Sequence, residues 1–219
     1  MSQLNFPFQV IPSLGREDFI VTDSNNEAIL WFDKWPDWPG GLFGVYGSSG
    51  SGKTHLVQCW ASKSGASIIN GKTESNINLE NINQKNHIAV DNASYLNEHH
   101  LFHIINIVQQ NNKTLFLTDE SSFAQWKVNL PDLRSRLRSI PSIRLKNPDD
   151  DLLKALLTKL FRDRQINVAD DLKSYIIKRI ERSFYSVQNF VDKIDNLTMS
   201  QKRKITKPVI NKVLLDFNK

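Results

Sequence analysis

The chain has 219 residues, of which 40% are hydrophobic and 23% charged, with 28 Lys and Arg against 23 Asp and Glu for a formal charge of +5. That balance excludes a disordered or collagen-like chain, and the length suits one large domain, or one domain with a small appendage. No apolar run approaches the roughly 18 residues of a membrane span and MSQLNFPFQV lacks a signal pattern, so the expectation is a cytoplasmic protein with no membrane partner.

The first 15 residues read as an extended arm carrying Pro7, Pro12 and Gly15. SNNEAILWFDKW (24–35) predicts a helix capped by Ser24 or Asn25, and PDWPGG breaks it. LFGVY (42–46) is a short apolar strand running into a glycine-rich turn, and THLVQCWASK after that turn reads as a helix. The single cysteine, Cys59, falls there; it has no disulfide partner and reads as a small core residue. ASIIN (66–70), HIAVD (87–91), TLFLT (114–118) and SIRL (142–145) predict further strands, and NEHHLFHIINIVQQ (97–110) a helix. Strands alternating with helices in this way predict a parallel sheet. Beyond Pro148 the apolar period becomes helical in four segments with Asp or Pro at their starts. The expected division is an N-terminal arm over 1–15, an α/β base over 16–146 and a helical lid over 147–219, hinged at KNPDD.

The strongest local signal is Gly47-Ser48-Ser49-Gly50-Ser51-Gly52-Lys53-Thr54, a G-x-x-x-x-G-K-[ST] phosphate loop with a strand leading in and a helix leading out. Its glycines allow backbone N–H groups to face phosphate oxygens, and the helix N-terminus favours negative charge. Lys53 is placed to reach β- and γ-phosphates and the Thr54 hydroxyl to ligate Mg²⁺. Asp91, at a strand end, supplies the acid such a metal needs. The next residue is Asn92, and an amide cannot take a proton from water, which argues for weak intrinsic hydrolysis. Thr118 ends another strand, where a polar side chain can sense the γ-phosphate or orient water. In LPDLRSRLRS (130–139), Arg134, Arg136 and Arg138 cluster; on the residues alone a solvated face, a DNA patch and an arginine finger all stay open.

In their order along the chain these motifs resemble the AAA+ ATPase domain of the DnaA family of replication initiators, and more closely its shortened Hda-like regulators. DFIVTDSNNEA (18–28) is similar to the N-terminal nucleotide-binding box, GSSGSGKTHL to the phosphate loop, IAVDN to the magnesium-binding segment, EHHLFHIIN to the helix after it, and LPDLRSRL to the box with the arginine finger. The resemblance covers roughly residues 16–216. It implies a P-loop NTPase base with a five-stranded parallel sheet and a small all-helical lid. It implies ATP or ADP as ligand with Mg²⁺, bound through Phe19, Ile20, Val21, Ser49, Gly50, Ser51, Gly52, Lys53, Thr54 and His55, the metal falling to Thr54 and Asp91.

By position Arg136 matches the finger, acting in trans on a neighbour's γ-phosphate, with Arg134 as its rival. The family's second-sensor arginine falls near Tyr185, which lacks that charge, with Arg182 one turn earlier. Gln3-Leu4-Asn5-Phe6-Pro7-Phe8 resembles the peptide that docks on the β-subunit sliding clamp of DNA polymerase III, with Gln3 as polar anchor and Leu4, Phe6 and Phe8 as apolar plugs around Pro7. The implied partners are therefore DnaA and the clamp, with DNA reached through the clamp and a homo-oligomer open. With the sequence running only to Lys219, just after the last predicted lid helix, the expectation is that the initiator's DNA-binding domain is not included. The implied function is inactivation of the initiator; a helicase-loader-like ATPase and a clamp-bound adaptor without stimulating activity are the alternatives.

Overall fold

Among the described residues of the computed structural model (20–74, 77–201 and 205–215), five short strands form one parallel sheet in the order β2-β3-β4-β1-β5. They are β1 (Leu42–Tyr46), β2 (Ser67–Asn70), β3 (His87–Asp91), β4 (Thr114–Asp119) and β5 (Ser142–Arg144). Side chains alternate across the pleat, so Phe43, Val45, Ala89 and Phe116 enter one core while Leu42, Ile88, Val90, Leu115 and Leu117 enter the other. Burial on both faces is why the three inner strands, β1, β3 and β4, read as nearly unbroken apolar runs.

The first core is aromatic. Trp38 sits 5.1 Å from Phe43 and 5.2 Å from Trp60, ring centre to ring centre, beneath α1 (Asn26–Phe32) and α2 (Lys53–Ser64). The second is aliphatic, built by α3 (Leu79–Asn83), α4 (Glu98–Gln110) and α5 (Pro131–Ser139). Cys59 is buried in the aromatic core, as its place in HLVQCW predicts.

The lid consists of α6 (Asp150–Asp163), α7 (Asp170–Ile177), α8 (Phe184–Gln201) and α9 (Lys207–Leu215) around its own core. Leu153, Leu157 and Phe161 line one stripe of α6, and Val187, Phe190, Val191 and Ile194 one stripe of α8, the i, i+3/i+4 spacing of an amphipathic helix. The Asp149 side chain accepts from Leu152 N at 2.7 Å, so an aspartate does start this helix.

At α1 the expected cap is not made. The Asn25 carbonyl Oδ1 accepts from Thr22 N at 2.9 Å and its Nδ2 donates to Ile20 O at 2.8 Å. The side chain thus turns backward and pins the incoming segment, holding Ile20 over the sheet's C-terminal edge rather than satisfying the helix.

Candidate nucleotide site between base and lid

Strand order brings the chemistry together. β1 lies between β4 and β5, with Val45 opposite Thr118 and Tyr46 opposite Asp119, while Val90 of β3 is opposite Leu117 of β4. The phosphate loop, Asp91 and Thr118 therefore emerge side by side at the carboxyl ends of three strands, where ligands bind in open α/β sheets.

Two hydroxyls hold Asp91. Thr54 Oγ1 donates to Oδ2 at 2.8 Å and Thr118 Oγ1 donates to Oδ1 at 2.5 Å. Asp91 is 2% and Thr118 0% exposed. Thr118 is thus fully buried, with its hydroxyl bonded to the acid. Thr54 and Asp91 offer hard oxygen donors to a magnesium ion that takes its other ligands from phosphate and water. Among the described residues no group of three or more His, Cys, Asp or Glu is arranged to hold a metal without such help.

Lys53 is folded back on its loop, donating to Gly47 O at 2.7 Å and Ser48 O at 2.8 Å. Burial pushes its ammonium below the usual lysine range, against the carboxylates of Glu120, Asp91 and Asp119, which pull upward, while Lys72 adds to the lowering. The buried Ser51 Oγ has no partner. A carbonyl-bound ammonium, an unpartnered hydroxyl and a helix N-terminus make a cradle whose chemistry fits a phosphate chain.

A cavity of about 510 Å³ opens above this cradle, between base and lid. Ile20, Ser49, Gly50, Gly52, Lys53, Thr54 and His55 line it. Val21 is 43% exposed and lies outside the lining. Phe19 and the peptide from Gln3 to Phe8 lie outside the described residues. From the lid come Leu156, Lys159, Leu160, Arg164, Phe184 and Tyr185, and from the base the unanticipated Lys72 and Glu120. Arg182 is not in the lining; it pairs with Asp150 at 3.0 Å. Arg164 pairs with Asp192 at 2.5 Å and Asp195 at 3.5 Å. Glu120 was visible in principle, since Asp-Glu follows the strand TLFLT directly; Lys72 sits in a Gly-Lys-Thr turn after ASIIN.

The lid rests on the phosphate loop itself. Phe184 N donates to Gly50 O at 3.2 Å, and a Cβ on Gly50, whose φ is +74°, would lie 2.5 Å from Ser183 Cβ. Gly50 is therefore required twice, for its backbone and for the lid's approach.

Residues 149–214 match the family described as the Hda lid domain. The chromosomal replication initiator protein DnaA of Campylobacter jejuni is 24% identical over 236 aligned positions, which take in 95% of this chain and 53% of that protein, so the chain spans about half that relative's length. Domain III of the replication initiation protein DnaA of Thermotoga maritima superposes with a TM-score of 0.78 at 17% identity, over 99% of both chains. The chain thus carries a segment that matches the Hda lid family, on a fold shared with domain III of DnaA. A further relative, an uncharacterised protein of Haemophilus influenzae, is 26% identical over 190 residues, 79% of this chain and 81% of its own. AMPPCP-bound DnaA from Aquifex aeolicus shares the fold with a TM-score of 0.69 at 19% identity, over 88% of this chain and 68% of that one.

The arginines of α5 have distinct surroundings. Arg136 is half-buried on α4, its Nη1 donating to Gln109 Oε1 and its guanidinium carbon 5.4 Å from the Phe102 ring centre. Arg134 Nη2 donates to Val128 O at 2.5 Å, within the segment that enters its own helix. That segment is clasped by Glu98, which accepts from Asn129 N at 2.9 Å and Leu130 N at 3.0 Å. The backbone bond from Asn129, ahead of that from Leu130, holds the Glu98 carboxyl below its ordinary range. No helix among the described residues is long and apolar enough to cross a membrane.

Proposed function

We propose that this protein binds ATP or ADP with Mg²⁺ between base and lid and acts as a negative regulator of replication initiation, stimulating hydrolysis of DnaA-bound ATP through Arg136 in trans. The Gln3–Phe8 peptide docks it on the sliding clamp, and DNA is reached through the clamp. Division of the chain into arm, base and lid near residues 15 and 146 belongs to this reading, as does a cytoplasmic, replisome-associated location.

The observation that carries the reading is the place of Arg136. It is absent from the lining of its own cleft and is held on α4 by a side-chain amide and an aromatic face. Both contacts exchange readily for a phosphate oxygen, which an arginine fork binds more strongly than a neutral amide. Arg134 makes a backbone contact that shapes its own helix entry, so Arg136 is the better finger.

Within the cleft, Lys53 leaves the Gly47 and Ser48 carbonyls to bind phosphate oxygens, and Asp91, oriented by Thr118, holds the metal with Thr54. Bound magnesium neutralises phosphate charge. Asn92 leaves no acid beside Asp91, so turnover of the protein's own nucleotide is slow and the bound state sets lid posture instead.

The test is hydrolysis of ATP by purified DnaA with this protein added, with and without DNA-loaded clamp. Clamp-dependent stimulation should fall at least about 100-fold in Arg136→Ala, on the scale of a finger's contribution, with clamp binding intact. Stimulation unchanged in that variant rejects the finger. Absence of stimulation by the wild type, with clamp binding kept, leaves the adaptor reading.

A further inference from the structure

The cleft contains a lysine that the phosphate-loop reading does not use. After β2 the chain makes a tight turn in which Lys72 N donates to Asn70 Oδ1 at 3.0 Å and Glu74 N to Asn70 O at 2.9 Å, while Glu74 Oε1 accepts from Asn70 N at 3.1 Å. Gly71 N donates to Asp91 O at 2.9 Å, and a Cβ on Gly71 would lie 2.3 Å from Asn92 O. Only glycine lets this turn tuck against the backbone of the metal-binding acid. The effect is to carry the next side chain, Lys72, into the cleft.

There Lys72 Nζ lies 3.9 Å from Glu120 Oε1 and 4.9 Å from the Tyr95 ring centre. Glu120 is set by Asp119, a buried acid whose Oδ1 accepts from Glu120 N at 2.7 Å and whose Oδ2 accepts from Ser94 N at 2.8 Å. The turns after β2, β3 and β4 are thus bonded to one another around one Lys–Glu pair. Both of its members line the nucleotide cavity and remain partly solvent-exposed.

We propose that Lys72 is a second cationic ligand for the terminal phosphate of a bound nucleoside triphosphate, supplied in cis by the base and held in waiting by Glu120. The magnitudes favour the exchange. A half-exposed ion pair at this separation contributes little, whereas a charge-assisted bond to a multiply charged phosphate is among the stronger polar contacts. On the lid side Tyr185 has no charge and Arg164 is paired with two aspartates, while Lys159 of α6 also lines the cavity. In a diphosphate state Lys72 stays with Glu120. The chain thereby distinguishes tri- from diphosphate on its base side. This inference rests on the cleft being the nucleotide site.

The experiment titrates fluorescent derivatives of ADP and AMPPCP into the full chain and its variants. Lys72→Met should weaken AMPPCP about tenfold, the equivalent of one such bond, and ADP less than about twofold. Lys72→Arg should keep the preference, and Glu120→Gln, which frees Lys72, should strengthen AMPPCP binding; a merely structural role for the pair weakens both ligands in all three variants. Equal changes for the two ligands, or none, in Lys72→Met overturn the proposal while leaving nucleotide binding in place. Lys53→Ala separates the two ideas: wild-type affinity in that variant, or no binding by the wild type, removes the cleft as the nucleotide site and the Lys72 role with it.

Discussion

The two walls of the cleft are built on different principles. On the base side, polar groups from three strand ends are already bonded to one another: Thr54 and Thr118 to Asp91, Asp119 to the turns on either side, Lys53 to its own loop. On the lid side, Leu156, Leu160, Phe184 and Tyr185 stand beside Lys159 and Arg164; Arg164 pairs with lid aspartates, and Arg182, outside the lining, with Asp150. The base therefore resembles a preorganised charge site, and the lid a surface that follows where the phosphate loop goes. The backbone bond from Phe184 to Gly50 is the physical link between them.

Breaking the base wall should have the largest effect. Asp91→Asn leaves one carbonyl oxygen where two hydroxyls now donate to two, and removes the charge that opposes magnesium. Metal-dependent affinity for a nucleotide should fall by about 100-fold, at the upper end of what removing a metal's support costs, measured by calorimetry with and without Mg²⁺. An unchanged affinity in Mg²⁺ would mean that Asp91 is purely structural and that the metal, if any, is held elsewhere. Breaking the link should act next. Gly50→Ala places a methyl against Ser183 at a backbone angle alanine rarely adopts, a cost of about 1–3 kcal/mol. For a chain of this size that is a loss of roughly 2–10 °C in melting temperature. Faster amide exchange should appear at residues 183–187, and the helices α4 and α5 should be untouched. Uniform exchange changes throughout the chain would deny the loop–lid junction any special role.

What could be read without coordinates divides along the same line. The phosphate loop, the strand ends and the lid helices were legible because each is encoded locally, by a fixed spacing or by an apolar stripe such as Leu153, Leu157 and Phe161. Asp91 was legible because an acid ending an apolar strand is itself a local pattern. The burial of Thr118 was not, because it depends on Val90 of β3 lying opposite Leu117 of β4, a register that neither strand specifies alone. Lys72 and Glu120 were missed for the same reason: they belong to turns 48 residues apart that meet only when β2, β3 and β4 are adjacent. The Asn25 cap was not legible because its side chain can serve either a helix N-terminus or the segment before it, and only the position of Ile20 decides. Arg182 lies outside the cavity lining because its partner, Asp150, stands at the start of α6, another long-range placement that no local pattern encodes.

Sharpening the comparison requires adding a charge to the lid at Tyr185. Tyr185 is 72% exposed at the rim of the cavity, on the same turn as the Phe184 that touches the loop. Tyr185→Arg therefore introduces a guanidinium without disturbing the lid core and with no acid of the helix committed to it in advance. Because the position is exposed, the gain is limited to about 0.5–1 kcal/mol, a two- to fivefold rise in preference for AMPPCP over ADP. The fluorescent titration used for Lys72 reads it directly. Combined with Lys72→Met, the substitution should recover part of the lost preference, since a cation from either wall meets the same terminal phosphate. If Tyr185→Arg leaves the ratio unmoved in both backgrounds, the lid does not approach that phosphate, and discrimination between nucleotide states in this chain belongs to the base alone.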